Sequence, residues 1–375
     1  MSRILAARMM GLALLVLCPT TVPAATPKAD RDWLIKRFDD VIMPQIQQSL
    51  ENPVTNDQGS IAWGRSYQLA ALAEMLSATR DPKYADVFIK LGRQVADARD
   101  HRHQRRDLIR DKVLAAWGST KYSNGNHYVW AVHTGMIVAP MAQFASVVRS
   151  DDDLSAKYGE AADYFLAVAE RAVAVHGDQY REGPGPDEGY LFGLWMNKPL
   201  PLNQQNAPAR AWIRIDDATG KNAHRERVER LANFLKNRLR TTEDGAYVWD
   251  YWPPLDGPGK GFEDISHASI NADFMVLCYE HGVVFTRGDI ARLEKTLLTK
   301  VILSDDAVAD NVGNTGGTNR FGAQVFHWGR LAKHSEAVRD RLIKLYRSDK
   351  FKTIGTKPLG VALMVSGLTD EAKAG

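Results

Sequence analysis

The sequence predicts an all-α fold, an incomplete (α/α) toroid of about five to six helical hairpins, and three observations lead to it. A helix of small and apolar residues is followed, again and again, by a helix with one charged face, which is the pattern of an inner ring packed inside an outer one. Trp63, His133, Asn203 and His267 open or sit early in successive inner helices 70, 70 and 64 residues apart, and Arg320 follows 53 later. Connections from inner to outer helix are short, whereas those leading back are long. Because every long loop enters the N-terminus of an inner helix, all of them must gather at one end of the ring, around a common axis.

Taken in order, residues 1–24 read as a signal peptide. Arg3 and Arg8 precede the short apolar run MMGLALLVLC, and Val22-Pro23-Ala24 supplies small residues at a cleavage point. Cys18 lacks the small residue that lipidation wants just before it, so a soluble periplasmic or secreted protein is expected, with 25–375 as a single toroid catalytic domain. After cleavage Cys278 stands alone, which rules out an internal disulfide. Residues 31–50 form an amphipathic helix that Pro44 kinks or breaks. IAWGRSYQLAALAEMLSATR and the helix begun by Asp81-Pro82 make the first hairpin. Four more pairs follow, from YVWAVHTG, NQQNAPAR, SHASINAD and FGAQVFHW, and Thr286 and Asp289 are spaced as a capping box.

Composition is that of an ordinary globular protein, 45% hydrophobic and 25% charged. The chain carries +3, and losing Arg3 and Arg8 leaves 3 − 2 = +1, which is no footprint for nucleic acid. No later segment is read as a membrane span. His101 and His103 lie among Arg102, Arg105 and Arg106, where a metal cation is disfavoured, and that stretch reads as a solvated helix, with a subsite for an acidic polymer as the alternative. No phosphate loop or dinucleotide fingerprint appears, so neither metal nor cofactor is expected.

The polar chemistry collects in the long loops. In GFEDISHASINADF, Glu263 and Asp264 precede Ser266 at the helix N-cap position, with His267 in the first turn and Ile270, Phe274 and Leu277 as the apolar stripe; Gly282 ends the helix. TKYSNGNHYVWAVHTG offers Tyr122, Asn126, His127, Trp130 and His133. YREGPGPDEGYLFGLWMNKPLPLNQQN offers Tyr190, Trp195, Asn203 and Asn206, and the third loop offers Trp249, Tyr251 and Trp252. A glycine-rich turn ends in Asn319 and Arg320. Aromatic platforms among amides and carboxylates suit a sugar chain, whose C–H faces stack while its hydroxyls hydrogen-bond.

GNHYVW at 125–130 resembles the Asn-His-aromatic motif of toroid-fold alginate lyases and related uronate-polymer lyases, and PDEGYLFG at 186–193 is similar to their Asp-Gly-aromatic loop with Glu188 inserted. The resemblance implies β-elimination on an acidic polysaccharide or oligosaccharide, alginate- or glucuronan-like. Asn126 then maps to the neutraliser of the uronate carboxylate and His127 to the base. Loop geometry offers Tyr190 or Tyr251 as the acid. His267, Asn203 and Arg320 form a second catalytic set, and both sets stand. Asn203, Asn206, His133, Glu263, Asp264, Trp195, Trp249 and Asn319 are the expected substrate contacts. Two other readings remain open: a glycoside hydrolase using Asp187, Glu188, Glu263 and Asp264 as paired carboxylates, and a glycan-binding protein without turnover.

Overall fold

The computed structural model describes residues 27–255, 259, 261–318, 320, 322–348 and 358–368. The expected signal segment and Asn319 lie outside them. Helix α1 (Pro27–Arg37) passes through a π turn, Phe38–Ile42, into α2 (Met43–Ser49). Pro44 falls at the start of α2, where its missing N–H costs no helical bond, so the expected break is absorbed by the π turn.

Inner and outer helices then alternate. A π turn, Ile61–Arg65, leads into α3 (Ser66–Thr79), and α4 (Pro82–Asp97) is capped by Asp81, which accepts the Lys83 N–H at 3.0 Å. The pairs α5 (Ala131–Arg149) with α6 (Asp152–Ala174), α7 (Leu202–Thr219) with α8 (Arg225–Lys236), and α9 (Ile265–Glu280) with α10 (Arg287–Lys295) follow. The Thr286–Asp289 capping box is formed, and Gly282 (φ +63°) takes the left-handed conformation just past α9. In α5 nearly every side chain is buried. By length and composition α5 is apolar enough to cross a bilayer, a property the sequence reading assigned to no segment, and its place between two layers of helix accounts for that.

The fifth inner element is a 3-10 helix, Gly322–Lys333, followed by α11 (Glu336–Arg347). Here the toroid goes beyond the open ring expected. Helix α12 (Pro358–Ser366), apolar all round, packs between α3 and the 3-10 helix with α1 outside it, so the two ends of the chain together build a sixth pair and the inner ring closes. No periodicity reveals this pair, because its halves are separated by most of the sequence.

The long loops carry short antiparallel hairpins: β1 (Arg106–Asp107) with β2 (Lys112–Val113), β3 (Gly118–Ser119) with β4 (Tyr128–Val129), β5 (Tyr180–Glu182), β6 (Gly189–Gly193) and β7 (Lys198–Pro199) as a three-stranded sheet, and β8 (Arg240–Thr241) with β9 (Tyr247–Val248). The arginine-rich stretch expected as a solvated helix is a 3-10 turn, Asp100–Arg102, and the β1–β2 hairpin. Its Arg110 is nearly buried and pairs with Asp107 and Asp178. Cys278 is buried in α9, and burial pushes its thiol well up, so it stays an inert apolar filler.

Candidate active site

The entrances of five inner elements converge on one cavity of about 390 Å³. The turn into α3 supplies Trp63 and α3 itself Tyr67; α5 supplies His133 and α7 supplies Asn203 and Gln204. Helix α9 supplies Ser266, His267 and Ile270, and the 3-10 helix supplies Gln324 and His327. The long loops close the mouth with Tyr122, Trp130, Met196, Tyr251 and Trp252. Among the described residues that line it there is no carboxylate, guanidinium or ammonium group.

His267 is held from behind. Asp264, not Ser266, caps α9: its Oδ1 accepts the N–H of Ser266 at 3.0 Å and of His267 at 3.1 Å, while its Oδ2 meets Nδ1 of His267. Burial works to raise the Asp264 carboxyl, but the His267 ring and the two backbone N–H groups outweigh it and hold it below the usual range. An ionised acceptor at Nδ1 keeps the ring proton there, which leaves Nε2 as the basic nitrogen. The Tyr251 ring lies 5.0 Å from the His267 ring, and its hydroxyl accepts from Gln204 Nε2 at 3.2 Å. Burial first, then the Asp264 charge, push the Tyr251 phenol up to about 12, with Gln204 opposing, so it remains a donor. His327 stacks on Tyr67 with ring centres 4.7 Å apart, and burial pushes the Tyr67 phenol to about 12 as well.

Several expected residues stand elsewhere. His127 bonds Asp100 at 2.9 Å beside Gly118, and Asn126 donates to the Ser123 carbonyl at 3.0 Å, so both tie the β3–β4 loop to its base. Tyr190 stacks on Phe234 of α8. Trp195 packs beside a small apolar cluster containing Tyr128, Trp130 and Met136. Arg320 is exposed on the glycine-rich loop, where its N–H donates to the Thr318 hydroxyl, and does not line the cavity. Asn206 donates to Asn271 at 2.6 Å, Asn271 to Glu263 at 2.6 Å, and the Trp249 indole to the same Glu263 oxygen; all four are buried behind α9 rather than in the cavity. The cavity does hold His267, Tyr251, Asn203 and His133. The carboxylates proposed for hydrolysis are dispersed: Glu188 is paired with Arg238, Asp187 is exposed, Glu263 is buried and Asp264 caps α9.

Sequence reading missed Tyr67, Gln324 and His327. In a 3-10 helix, residues three apart eclipse, so Gln324, His327 and Arg330 form one file towards the axis. Read as an α-helix the same residues drift round the surface, which hides the signal. Beneath the site a second cavity of about 50 Å³ shares Tyr67, Ile270 and His327 with the first, and is lined by Glu74, Arg210, Asp273 and Arg330.

Glu263 supports one prediction. Burial raises its pKa well above the ordinary 4.5 despite the Trp249 and Asn271 donors, so the native state keeps a proton that the unfolded chain gives up. Native stability therefore falls as pH rises from the unfolded value through the raised folded one. Urea unfolding between roughly pH 5 and 8 is expected to give a flatter profile for Glu263→Gln than for the native protein; equal slopes refute a titrating Glu263.

The closed double ring with a polar cavity at one end is an α/α-toroid architecture. A cellobiose 2-epimerase from Spirochaeta thermophila DSM 6192 shares this fold at 12% identity, with 86% of this chain and 84% of that one covered and a TM-score of 0.54. A sugar epimerase from a ruminal bacterium does so at 11% identity, over 88% of this chain and 85% of that one, with a TM-score of 0.52. No protein-family model and no curated protein matches the chain.

Proposed function

We propose that this protein is a carbohydrate-processing enzyme that moves a proton at the carbon beside a sugar carbonyl, as an epimerase or isomerase of a small neutral saccharide. The observation that carries this reading is a cavity lined by imidazoles, protonated phenols and amides with no carboxylate pair and no cation among its described residues. At about 390 Å³ the cavity is at the lower end of the roughly 300–1,000 Å³ typical of small-molecule sites, and suits a short saccharide better than a long polymer. The two similar folds bear the names of sugar epimerases, which agrees with the chemistry without assigning it.

In this reading Nε2 of His267 takes the proton from the carbon next to the carbonyl of the open-chain sugar. The electron pair moves onto the carbonyl oxygen, where neutral donors of the cavity meet the developing charge, while the Tyr251 and Tyr67 hydroxyls donate to the neighbouring sugar hydroxyls. A proton returned by His327 to the opposite face of the same carbon yields the epimer, whereas return to the former carbonyl carbon yields the ketose. Five of the inner elements contribute walls, which supports the reading of residues 25–375 as one catalytic domain. Export to the periplasm remains part of the proposal.

Uronate β-elimination is the second reading, supported by the amides Asn203, Gln204 and Gln324, which could neutralise a substrate carboxylate in place of a cation. It begins with the same proton transfer and ends by expelling the glycosidic oxygen. One experiment separates the readings. Purified mature protein is incubated in D₂O with aldoses, neutral disaccharides and uronate oligosaccharides, and products are followed by NMR and ultraviolet absorbance. Deuterium beside the carbonyl with a new epimer or ketose supports the first; a new conjugated C=C supports the second. New reducing ends alone, or no reaction across the panel, overturn both.

A further inference from the structure

The proton-transfer reading leaves one wall of the cavity without a task, the wall built from Trp63, Trp130 and His133. Its chemistry is set by Asn56, a buried amide in the turn before α3. Asn56 Oδ1 accepts the Ala62 N–H at 3.2 Å, and Nδ2 lies 3.4 Å from the carbonyl oxygens of both Trp117 and Gly118. Only one orientation of the amide satisfies all three, because an oxygen cannot donate to a carbonyl. The same Nδ2 is 3.2 Å from Nδ1 of His133. Nδ1 must therefore accept, and the proton of this imidazole resides on Nε2.

That Nε2–H has no hydrogen-bond acceptor among the described residues, nor have the indole N–H groups of Trp63 and Trp130. The three rings are neighbours: Trp63 meets His133 edge-on at 5.5 Å between centres, and Trp130 lies 6.5 Å from it. His133 is 1% exposed and Trp130 is 3% exposed, yet both line the cavity. The turn is fitted closely to them. A Cβ on Gly59 (φ +72°) would come 2.9 Å from Trp63 Cδ1 and 3.4 Å from His133 Cε1. Ionisation gives the histidine no escape, since burial and then Lys121 push it down to about 3. What borders the cavity here is a group of buried neutral donors without an acceptor among the described residues.

We propose that His133, Trp130 and Trp63 form the oxygen-binding pole of the site, taking the sugar carbonyl oxygen and the negative charge that develops on it, and that Asn56 is the positioning residue that fixes the donor tautomer of His133. This rests on the proton-transfer reading above. Neutral donors suit that oxygen: they stabilise charge where it appears in the transition state without binding an anion strongly in the ground state. The proton taken by His267 and the electron pair it leaves behind thus go to different walls.

The test uses full-length mature protein labelled with ¹⁵N-histidine, with His133 assigned from the resonance lost in His133→Gln. The free protein is expected to show the Nε2–H tautomer, and a saturating saccharide that quenches tryptophan fluorescence is expected to shift that Nε2 resonance. Asn56→Asp turns a carboxylate oxygen towards Nδ1 and draws the proton there. It should lower kcat by about 100-fold, change KM much less, and move the tautomer signature to Nδ1–H. An Nδ1–H tautomer in the free native protein overturns the inference. So does saccharide turnover with the Nε2 resonance unmoved, which leaves the proton-transfer reading standing. If no saccharide binds or reacts, both fall. Should Asn56→Asp fail to fold, the two spectra of the native protein still decide.

Discussion

Replacing His267 with alanine is expected to lower kcat by about two to four orders of magnitude while the helical fold survives. The ring is partly exposed in the first turn of α9 and contributes little to the core, so its removal should not unfold the protein. What is lost is a cavity imidazole whose basic nitrogen is defined by an ionised carboxylate behind it. Asp264→Asn should lower kcat less than His267→Ala, because the ring stays but its tautomer is no longer imposed. It also weakens an N-cap that accepts two backbone N–H groups, at a cost of about 1 kcal/mol. Deuterium exchange at the carbon beside the carbonyl is the direct measurement. If exchange in His267→Ala proceeds at the native rate with an unchanged circular dichroism spectrum, His267 is not the base.

Arg330→Met is expected to cost about 3–5 kcal/mol of stability in urea unfolding, the largest structural effect of any single change considered. Arg330 donates to Asp273 at 2.5 Å and to Glu74 at 2.5 Å, and Arg210 meets Asp273 from the other side at 2.7 Å. These groups are nearly inaccessible, so deleting the shared arginine strands a buried negative charge. They form a layer in register with the cavity above. Glu74 is seven residues after Tyr67, Arg210 seven after Asn203 and Asp273 seven after Ser266, two helical turns down the same face in each case. The pH dependence carries a sign. Burial raises the Glu74 carboxyl, but Arg330 foremost, then Lys333 and Arg214, bring it down to about 2. Its contribution is complete above the unfolded value of 4.5 and is lost as pH falls towards about 2. Arg330→Met should lose that acid dependence, and combining it with Glu74→Gln and Asp273→Asn should recover part of the stability, because no unpaired charge remains. A single variant within about 0.5 kcal/mol of the native protein would show that the layer is not what holds the inner ring.

Most of the ring was legible in the chain because helix periodicity is a local property. A buried inner helix such as α5 must be apolar all round, and an outer one such as α4 only on one side, so each hairpin announces itself within about forty residues. The gathering of the long loops at one end followed from connection lengths alone, and the cavity lined from five inner entrances agrees with it. Three things were hidden. The sixth pair joins α1 to α12 across nearly the full sequence; the fifth inner element has α-like composition but 3-10 geometry; and the β3–β4 loop turns His127 towards Asp100 although its neighbours Tyr122 and Trp130 reach the cavity.

By itself the sequence determined most of the helical hairpins, which faces they bury, and that their polar entrances share one end, since each of these depends on residues a few positions apart. Tertiary structure alone decided which imidazole meets which partner. His127 and His267 are both histidines near a helix entrance, and each bonds an aspartate. Only the course of the loops puts one against the frame and the other against the hollow, because a loop's path is set by packing between segments far apart in the chain.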